Sequence, residues 1–251
     1  MSLKFENIQK SYTTPNGGIV DILTGVDFEI QDGSFVSIMG PSGCGKTTLL
    51  NVMSGLVEMD GGTITQNGSE IAQDQIPYTY VFQEPRLLNW RTVEDNIKFA
   101  LDAQGVPGDA QESRIDMYLE MVDLGENKQS YPLQLSGGMR QRVGLARALA
   151  VEKPVILMDE PFSALDEITA QQLRRDVLDL WRSTDKTIVF ITHNISEAVY
   201  LSDKILFMNA DGEFFSRERI DVPRPRVHDS SELLEIQKRL LEAFFDTVQD
   251  S

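Results

Sequence analysis

The stretch from residue 40 to residue 48 constrains the fold more than any other part of the chain. It matches the pattern G-x-x-x-x-G-K-S/T, with an apolar run before it at 35–39 and another after it at 49–53. This order predicts a strand, a glycine-rich loop and a helix, in which glycines let successive backbone N–H groups point at a bound anion. The predicted phosphate loop consists of Gly40, Pro41, Ser42, Gly43, Cys44, Gly45, Lys46, Thr47 and Thr48.

Two side chains of the phosphate loop suit a nucleotide. Lys46 can reach the β- and γ-phosphates, and the hydroxyl of Thr47 can bind Mg²⁺. The helix that follows adds the positive end of its dipole. The sequence therefore predicts a site for a nucleoside triphosphate with Mg²⁺.

Composition limits the class of protein. The 251 residues, 41 % of them hydrophobic, suffice for one large domain or two small ones. The single cysteine excludes an internal disulfide and a cysteine-rich zinc module. No apolar run approaches a membrane span, and the polar start is unlike a signal peptide. A formal net charge of −16 disfavours nucleic acid, so we expect no such partner.

The chain on either side of the phosphate loop is predicted to be rich in antiparallel strands. Apolar and polar residues alternate at 3–6, 19–23 and 26–30, and the first two runs are separated by the turn-forming residues 14–18. Tyr12 precedes that turn and has two interpretations, packing on a pleated sheet or stacking on a purine ring. Short strands are also predicted at 63–65 and 78–82, the latter followed by Gln83.

From residue 84 to about residue 153 the pattern becomes helical. Apolar spacing predicts helices over 93–104 and 110–124, the second capped by Asp109.

A further helix is predicted from Ser136 to Ala150, with Ser136 as its N-cap. Gly137 and Gly138 weaken a helix in its first turn, so we interpret them as room for an anion at the helix start. An ordinary capped helix start is the alternative.

Acidic residues follow a run typical of a buried parallel strand. The run at 154–158 ends in Asp159 and Glu160, and ligands of α/β proteins bind at that edge of a sheet. With a phosphate loop in the same chain, the pair indicates Mg²⁺ binding and activation of water, although a solvated strand end is the alternative. Residues 163–166 read as a turn, 167–182 as an amphipathic helix and 187–192 as another buried strand, which ends at His193.

Together these motifs resemble those of the ATP-binding subunits of ABC transporters, over about residues 3–221. The resemblance implies an α/β fold, with a P-loop NTPase core, an antiparallel β subdomain and an inserted helical subdomain at roughly 84–153. Residues 222–251 would form a C-terminal extension.

The resemblance also implies a role for each matching residue. Lys46, Glu160 and His193 would be catalytic, and Thr47, Gln83 and Asp159 would bind Mg²⁺. Further contacts to ATP would come from the loop residues above and from Tyr12 on adenine, Gln83, the signature residues Ser136, Gly137 and Gly138, and Asp166 of the 163–166 turn.

The same resemblance implies partners. Two copies of the chain would sandwich two ATP molecules, each between one subunit's phosphate loop and the other's Ser136. A transmembrane permease is expected, together with an extracytoplasmic solute-binding protein and a location on the cytoplasmic face of the cell membrane.

The residues at 83–97 and 222–226 resemble those of importer subunits for nitrate, sulfonate and taurine. The Pro-Arg-Pro-Arg run within 222–226 has a stiff extended linker as its alternative. Two other functions remain open: the ATPase of a lipid or lipoprotein exporter, and a soluble ABC ATPase outside transport. Against the latter, the chain has one phosphate loop and a helical insertion of ordinary length.

The C-terminal residues predict an amphipathic helix. Asp229 and Glu232 form a start similar to a capping box. The apolar face is expected to pack on the same domain. Its residues are Leu233, Ile236, Leu240, Leu241, Phe244, Phe245 and Val248.

Overall fold

The computed structural model describes residues 2–228 and 230–249, with side chains described up to residue 244. The described chain forms two compact units, the first from residues up to 77 and from 186 onward, the second from 78–185. In chain order the elements are β1 (Leu3–Thr13), β2 (Ile19–Ile30), β3 (Phe35–Met39), α1 (Lys46–Met53), β4 (Gly61–Gln66), β5 (Ser69–Glu70), β6 (Tyr78–Val81), α2 (Val93–Ala103), α3 (Gly108–Met121), α4 (Gly137–Ala150), β7 (Val155–Asp159), α5 (Glu167–Arg182), β8 (Thr187–Ile191), α6 (Ile195–Leu201), β9 (Lys204–Met208), β10 (Phe214–Arg219) and α7 (Ser231–Gln249).

An antiparallel sheet in the first unit has the strand order β2-β1-β4-β5. Phe5 of β1 lies opposite Phe28 of β2, and their rings stack with centroids 4.4 Å apart. The alternating pattern therefore turns one face of the sheet inward, as the sequence predicts. β1 extends further than the alternation indicates and includes Tyr12, which pairs with Val20.

A second group of strands in the first unit carries the phosphate loop. β3 lies between β8 and β9 and is parallel to both, and β9 pairs with β10 in the antiparallel sense. Every residue of β3 and β8 is buried, which explains their nearly continuous apolar runs. The sequence analysis missed β9 and β10, although Lys204 is followed by an apolar run at 205–208.

The second unit contains the helical part and a parallel pair of strands. β6 runs parallel to β7, and α2, α3 and α4 pack on one another. The predicted helix over 167–182 is confirmed at both ends by α5. The predicted Asp109 cap is wrong, because α3 begins at Gly108 with Pro107 as its N-cap. Asp109 instead lies in the first turn, where its negative charge faces the positive end of the helix dipole.

The predicted C-terminal helix is α7, and it packs on its own unit. Leu233 and Leu240 are buried, and α7 contacts α6. The ring of Phe244 lies 5.8 Å from that of Phe207 on β9 and 6.3 Å from that of Phe215 on β10. Ile236 is half-buried, in agreement with the predicted apolar face. The prediction is wrong for Leu241, which is exposed. The predictions for Asp229, Phe245 and Val248 fall outside the described residues and side chains.

The segment at 222–226 is not the free linker that its prolines permit. Arg226 is 6 % exposed, and both Arg224 and Arg226 donate hydrogen bonds to the carbonyl groups of α6.

Within the part of the chain that the structure describes, no helix has the length and apolar character needed to cross a membrane.

Candidate active site

The phosphate loop connects β3 to α1, so the predicted order of strand, loop and helix is observed. Gly45 is the N-cap of α1 with φ 101° and makes no side-chain capping bond. Gly43 also has a positive φ, 84°. These left-handed positions suit glycine, and they turn the chain into the helix so that its first N–H groups are available to an anion.

The start of the loop is tightly packed. A Cβ atom on Gly40 would lie 2.6 Å from the carbonyl oxygen of Met208 and 2.7 Å from the Sγ atom of Cys44. A Cβ on Gly45 would lie 2.9 Å from the Cγ2 atom of Ile22. Side chains are therefore excluded at both positions. The loop is therefore held in shape by β2 and β9 beneath it.

Cys44 and Lys46 have buried side chains within the loop, whereas Ser42 and Thr47 are exposed. The Nζ atom of Lys46 donates to the carbonyl oxygens of Gly40 and Pro41, at 2.9 and 2.8 Å. Burial raises the pKa of the Cys44 thiol, and the ammonium of Lys46 opposes that shift. The thiol is thus protonated and enclosed, which makes it a packing group.

Two further predicted residues lie in the first unit. Tyr12 is 43 % exposed, which disfavours a core-packing role, and the Nζ atom of Lys10 lies 5.5 Å from its ring. His193 is exposed and follows β8, between the buried Thr192 and the α6 N-cap Asn194. Both rings therefore remain accessible for the roles that the sequence predicts.

In the second unit, the structure brings Gln83 and Glu160 together across 77 residues of sequence. The Nε2 atom of Gln83 donates to the Oε2 atom of Glu160 at 3.4 Å. Asp159 is the buried last residue of β7, and Glu160 follows with φ 44°. A left-handed glutamate is uncommon, and such backbone positions concentrate at functional sites. Burial raises the pKa of Tyr80, and the nearby carboxylate of Asp159 adds to that shift.

Two helix caps position further predicted residues of the second unit, Ser136 and Asp166. Ser136 is the N-cap of α4, as predicted, and its Oγ atom accepts from the backbone N–H of Met139 at 3.2 Å. Ser136 and Gly137 are exposed, and a Cβ on Gly138 would lie 3.2 Å from Leu165. The helix start is therefore open to solvent.

Asp166 has a structural role that the sequence analysis did not identify. It is the N-cap of α5, and its Oδ1 atom accepts from the N–H of Thr169 at 3.0 Å. This backbone hydrogen bond lowers the pKa of Asp166. The Oγ atom of Ser163 likewise donates to the carbonyl of Glu160, which holds the turn after β7.

The sequence analysis also missed the residues that hold the loop at 83–92. Gln141 donates to the carbonyl of Phe82, and Arg147 donates to those of Pro85 and Arg86. Asn96, which is fully buried, binds the loop from the start of α2. The available signal was a polar residue at a position that the helical period places on the buried face. Trp90 at the tip of this loop is 75 % exposed.

The donor set suits Mg²⁺ bound partly through substrate. Among the described residues, no group of three or more histidine, cysteine or acidic side chains could hold a metal by itself. Mg²⁺ prefers oxygen ligands and usually combines one or two carboxylates with substrate phosphates and water. Thr47, Gln83 and Asp159 each carry a side-chain oxygen of the type that Mg²⁺ prefers.

Several known proteins with related sequences are ATP-binding proteins of ABC transporters. Residues 23–163 match the family model described as ABC transporter. An uncharacterized ABC transporter ATP-binding protein of Methanocaldococcus jannaschii is 40 % identical, over 100 % of this chain and 94 % of the relative. An aliphatic sulfonates import ATP-binding protein of Bacillus cereus is 37 % identical over 97 % of this chain and 96 % of the relative. A nitrate import ATP-binding protein of Synechococcus elongatus is 38 % identical over 91 % and 84 %, respectively.

Solved structures have the same fold. A dimeric bacterial ABC transporter cassette superimposes with a TM-score of 0.79 at 31 % identity, covering 88 % of this chain and 100 % of that one. A dimeric post-hydrolysis state bound to ADP and phosphate gives a TM-score of 0.78 at the same identity and coverage.

Proposed function

This chain belongs to the family of ABC transporter ATP-binding subunits, and from that premise we propose that it is the ATPase of an importer for a small solute of the nitrate, sulfonate and taurine class. The observation that carries the catalytic part is the contact between Gln83 and Glu160 at the end of β7, in a chain with a complete phosphate loop. The importer class is supported by the relatives whose names specify import of aliphatic sulfonates and of nitrate.

The residues of the phosphate loop bind the triphosphate. Lys46 and the N–H groups at the start of α1 neutralise phosphate charge, and the other loop residues, Gly40 to Thr48, enclose it. Tyr12 stacks on the adenine ring. Thr47, Gln83 and Asp159 bind Mg²⁺, which supplies positive charge to the phosphate oxygens when it is bound.

Glu160 takes a proton from the attacking water as general base. Its left-handed backbone and the hydrogen bond from Gln83 fix the direction of its carboxylate. His193 orients the γ-phosphate and the water. Asp166, fixed as the cap of α5, contacts nucleotide from its turn.

Two copies of the chain act as a dimer around two ATP molecules. Ser136, Gly137 and Gly138 at the exposed start of α4 bind the γ-phosphate held by the partner's phosphate loop. The dimeric cassettes that this chain resembles support such an arrangement.

The loop at 83–92 transmits the state of Gln83 to a transmembrane permease on the cytoplasmic face of the membrane. Its exposed Trp90, held by the clamped backbone around it, offers an apolar contact. A solute-binding protein delivers the solute on the other side. Residues 1–221 form the ATPase domain, with the helical subdomain at about 84–153, and 222–251 form an extension. An exporter ATPase or a soluble ABC ATPase would share the catalytic residues, but the relatives named above favour import.

Glu160→Gln tests the ATPase mechanism. Gln keeps the size of Glu but cannot act as general base, so turnover should fall by about 10²–10⁴-fold while ATP still binds. Unhydrolysed ATP should then hold two subunits together, and light scattering should show a dimer with ATP and Mg²⁺ but a monomer with ADP. Adding Ser136→Arg should abolish that dimer and leave ATP binding intact. Glu126→Gln, at an exposed glutamate, is the matched control.

Two results would count against this mechanism: a Glu160→Gln protein that hydrolyses ATP at the normal rate, or one that stays monomeric when loaded with ATP at high concentration. The importer class is tested separately by reconstituting the ATPase with its permease and solute-binding protein in vesicles. Nitrate, taurine or an alkanesulfonate should stimulate turnover. Stimulation by a lipid alone would favour the exporter alternative.

A further inference from the structure

The short helix α6 begins two residues after His193, so its position determines where that histidine lies. Residues on both sides of His193 are bonded to the first turn of α6. The hydroxyl of Thr192 donates to the buried carboxylate of Glu197 at 2.6 Å, and it accepts from the N–H of Asn194 at 3.0 Å. The Oδ1 atom of Asn194 accepts from the N–H of Ser196 at 2.9 Å. His193 therefore lies between two residues that are bonded to the first turn of α6.

The other end of α6 is held by the arginines at 224 and 226. The last four carbonyl groups of a helix have no partner within it. Here Ala198 accepts from the N–H of Ser202 at 3.0 Å. Arg226 donates its Nη1 group to Val199 at 2.8 Å and to Tyr200 at 3.2 Å, and the Nη2 group of Arg224 donates to Leu201 at 2.6 Å. Every carbonyl of the last turn is thus satisfied, three of the four by these two side chains.

Arg226 also connects α6 to the residues that follow β10. Its Nη1, Nη2 and Nε groups donate to the carbonyls of Ser202, Ile220 and Val222 at 2.7, 3.0 and 3.0 Å. A planar guanidinium presents five N–H donors in a fixed fork, whereas a lysine ammonium has three on a flexible stem. Burial lowers the pKa of Arg226 to about 10, so the side chain stays charged at neutral pH. A cation at this end of a helix also complements the dipole.

We propose that Arg226 is a positioning residue for ATP hydrolysis, which acts through α6 to hold His193 in place. The proposal rests on the role proposed above for His193. The segment at 222–226 resembles the corresponding part of importer subunits, and none of the predicted ATP contacts lies in it. The proposal gives this segment a function in the catalytic cycle. The anchor and the histidine are linked entirely through described residues of the first unit.

Arg226→Lys in the full chain is the direct test. The kcat for ATP hydrolysis should fall about tenfold or more, within the ~10²-fold loss that a misplacement of 1 Å can produce. The KM and the affinity for ATP should stay unchanged, because the phosphate loop is built on β3 and α1. Arg239→Lys is the matched control: Arg239 is an exposed arginine of α7, 3.7 Å from Glu218, and its replacement should leave kcat unchanged.

A double-mutant cycle distinguishes positioning from a general structural role. If Arg226 acts through His193, then Arg226→Lys should lower kcat in the normal chain but not in a His193→Ala background. Two losses that multiply, or a kcat unaffected by Arg226→Lys, would overturn the proposal. A His193→Ala protein that hydrolyses ATP normally would instead refute the role of His193 itself, and the positioning role with it.

Histidine NMR supplies a readout that does not depend on activity. The chain has two histidines, so a histidine-labelled sample gives two imidazole signals, and His193→Ala identifies one of them. Arg226→Lys should shift or broaden the His193 signal in folded protein. An unchanged His193 signal would contradict the proposal, whatever happens to stability.

Should Arg226→Lys not fold, Arg224→Lys permits the same measurements. It removes the guanidinium that donates to Leu201 and pairs with Asp203 at the same time, while leaving Arg226 in place. A smaller fall in kcat that disappears in the His193→Ala background supports the proposal. A normal kcat with an unchanged His193 signal contradicts it.

Discussion

Replacing Asn96 tests how the exposed loop at 83–92 is held. The Oδ1 atom of Asn96 accepts from the N–H of Leu88 at 2.8 Å. Its Nδ2 atom donates to the carbonyls of Leu88, Arg91 and Thr92 at 3.1, 3.2 and 2.8 Å. Since Asn96 is fully buried, water cannot replace these bonds without rearrangement.

The expected loss of stability follows from which groups keep a partner in Asn96→Ala. The carbonyl of Leu88 still accepts from Arg91, and that of Thr92 still accepts from the backbone N–H of residue 96. The N–H of Leu88 and the carbonyl of Arg91 lose the bond to Asn96. Leaving a buried polar group unsatisfied costs about 1–3 kcal/mol, and because Leu88 and Arg91 are half-buried we expect the free energy of unfolding to fall by about 2 kcal/mol.

Asn96→Asp is a second test. The aspartate keeps an oxygen that can accept from the N–H of Leu88, but it replaces the Nδ2 donor with an oxygen that faces the carbonyls of Leu88, Arg91 and Thr92. Burial should raise the folded-state pKa of the introduced carboxyl above its unfolded value of about 3.9. Ionisation is then less favourable in the folded protein, so the destabilisation should grow as the pH rises from 4 to about 8. At neutral pH it should exceed that of Asn96→Ala.

Urea unfolding followed by circular dichroism measures the stability, and hydrogen exchange of the Leu88 amide reports the loop itself. Asn89→Ala, on an exposed side chain of the same loop, is the control and should change stability by less than about 0.5 kcal/mol. If Asn96→Ala lowers stability by less than about 1 kcal/mol and the Leu88 amide stays protected, the assignment of Asn96 as the clamp is refuted.

Two further predictions concern the phosphate loop. Gly40→Ala should reduce ATP affinity by at least about tenfold, an effect of about 1.4 kcal/mol, because its Cβ would overlap the Met208 carbonyl. A titration with a fluorescent ATP analogue measures the affinity, and Gly108→Ala, with open space around it, is the control. Normal affinity for Gly40→Ala would argue against the observed packing. Cys44 should react with maleimide far more slowly in folded protein than in urea, since its thiol is 3 % exposed and its raised pKa disfavours the thiolate. Equal rates, followed by mass spectrometry, would show that the loop opens readily.

Local sequence patterns predicted those features of this protein that depend on a few neighbouring residues. The order of strand, glycine loop and helix at 35–53, the Ser136 cap and the bounds of α5 all follow from caps, glycines and helical spacing within short windows. The Asp109 cap was wrong within such a window, because α3 begins one residue earlier, at Gly108, and Asp109 therefore lies in the first turn.

Only the tertiary structure determined which residues from distant parts of the sequence contact one another. Gln83 and Glu160 meet across 77 residues, and no local pattern specifies the left-handed backbone that aims Glu160. Leu241 is exposed because helical spacing defines a wide apolar stripe, whereas β9 and β10 cover only part of it. Arg226 shows most clearly what the sequence alone could not predict. Its acceptors belong to residues 199, 200, 202, 220 and 222, and a proline-arginine run reads as a linker until folding surrounds its guanidinium with those carbonyls.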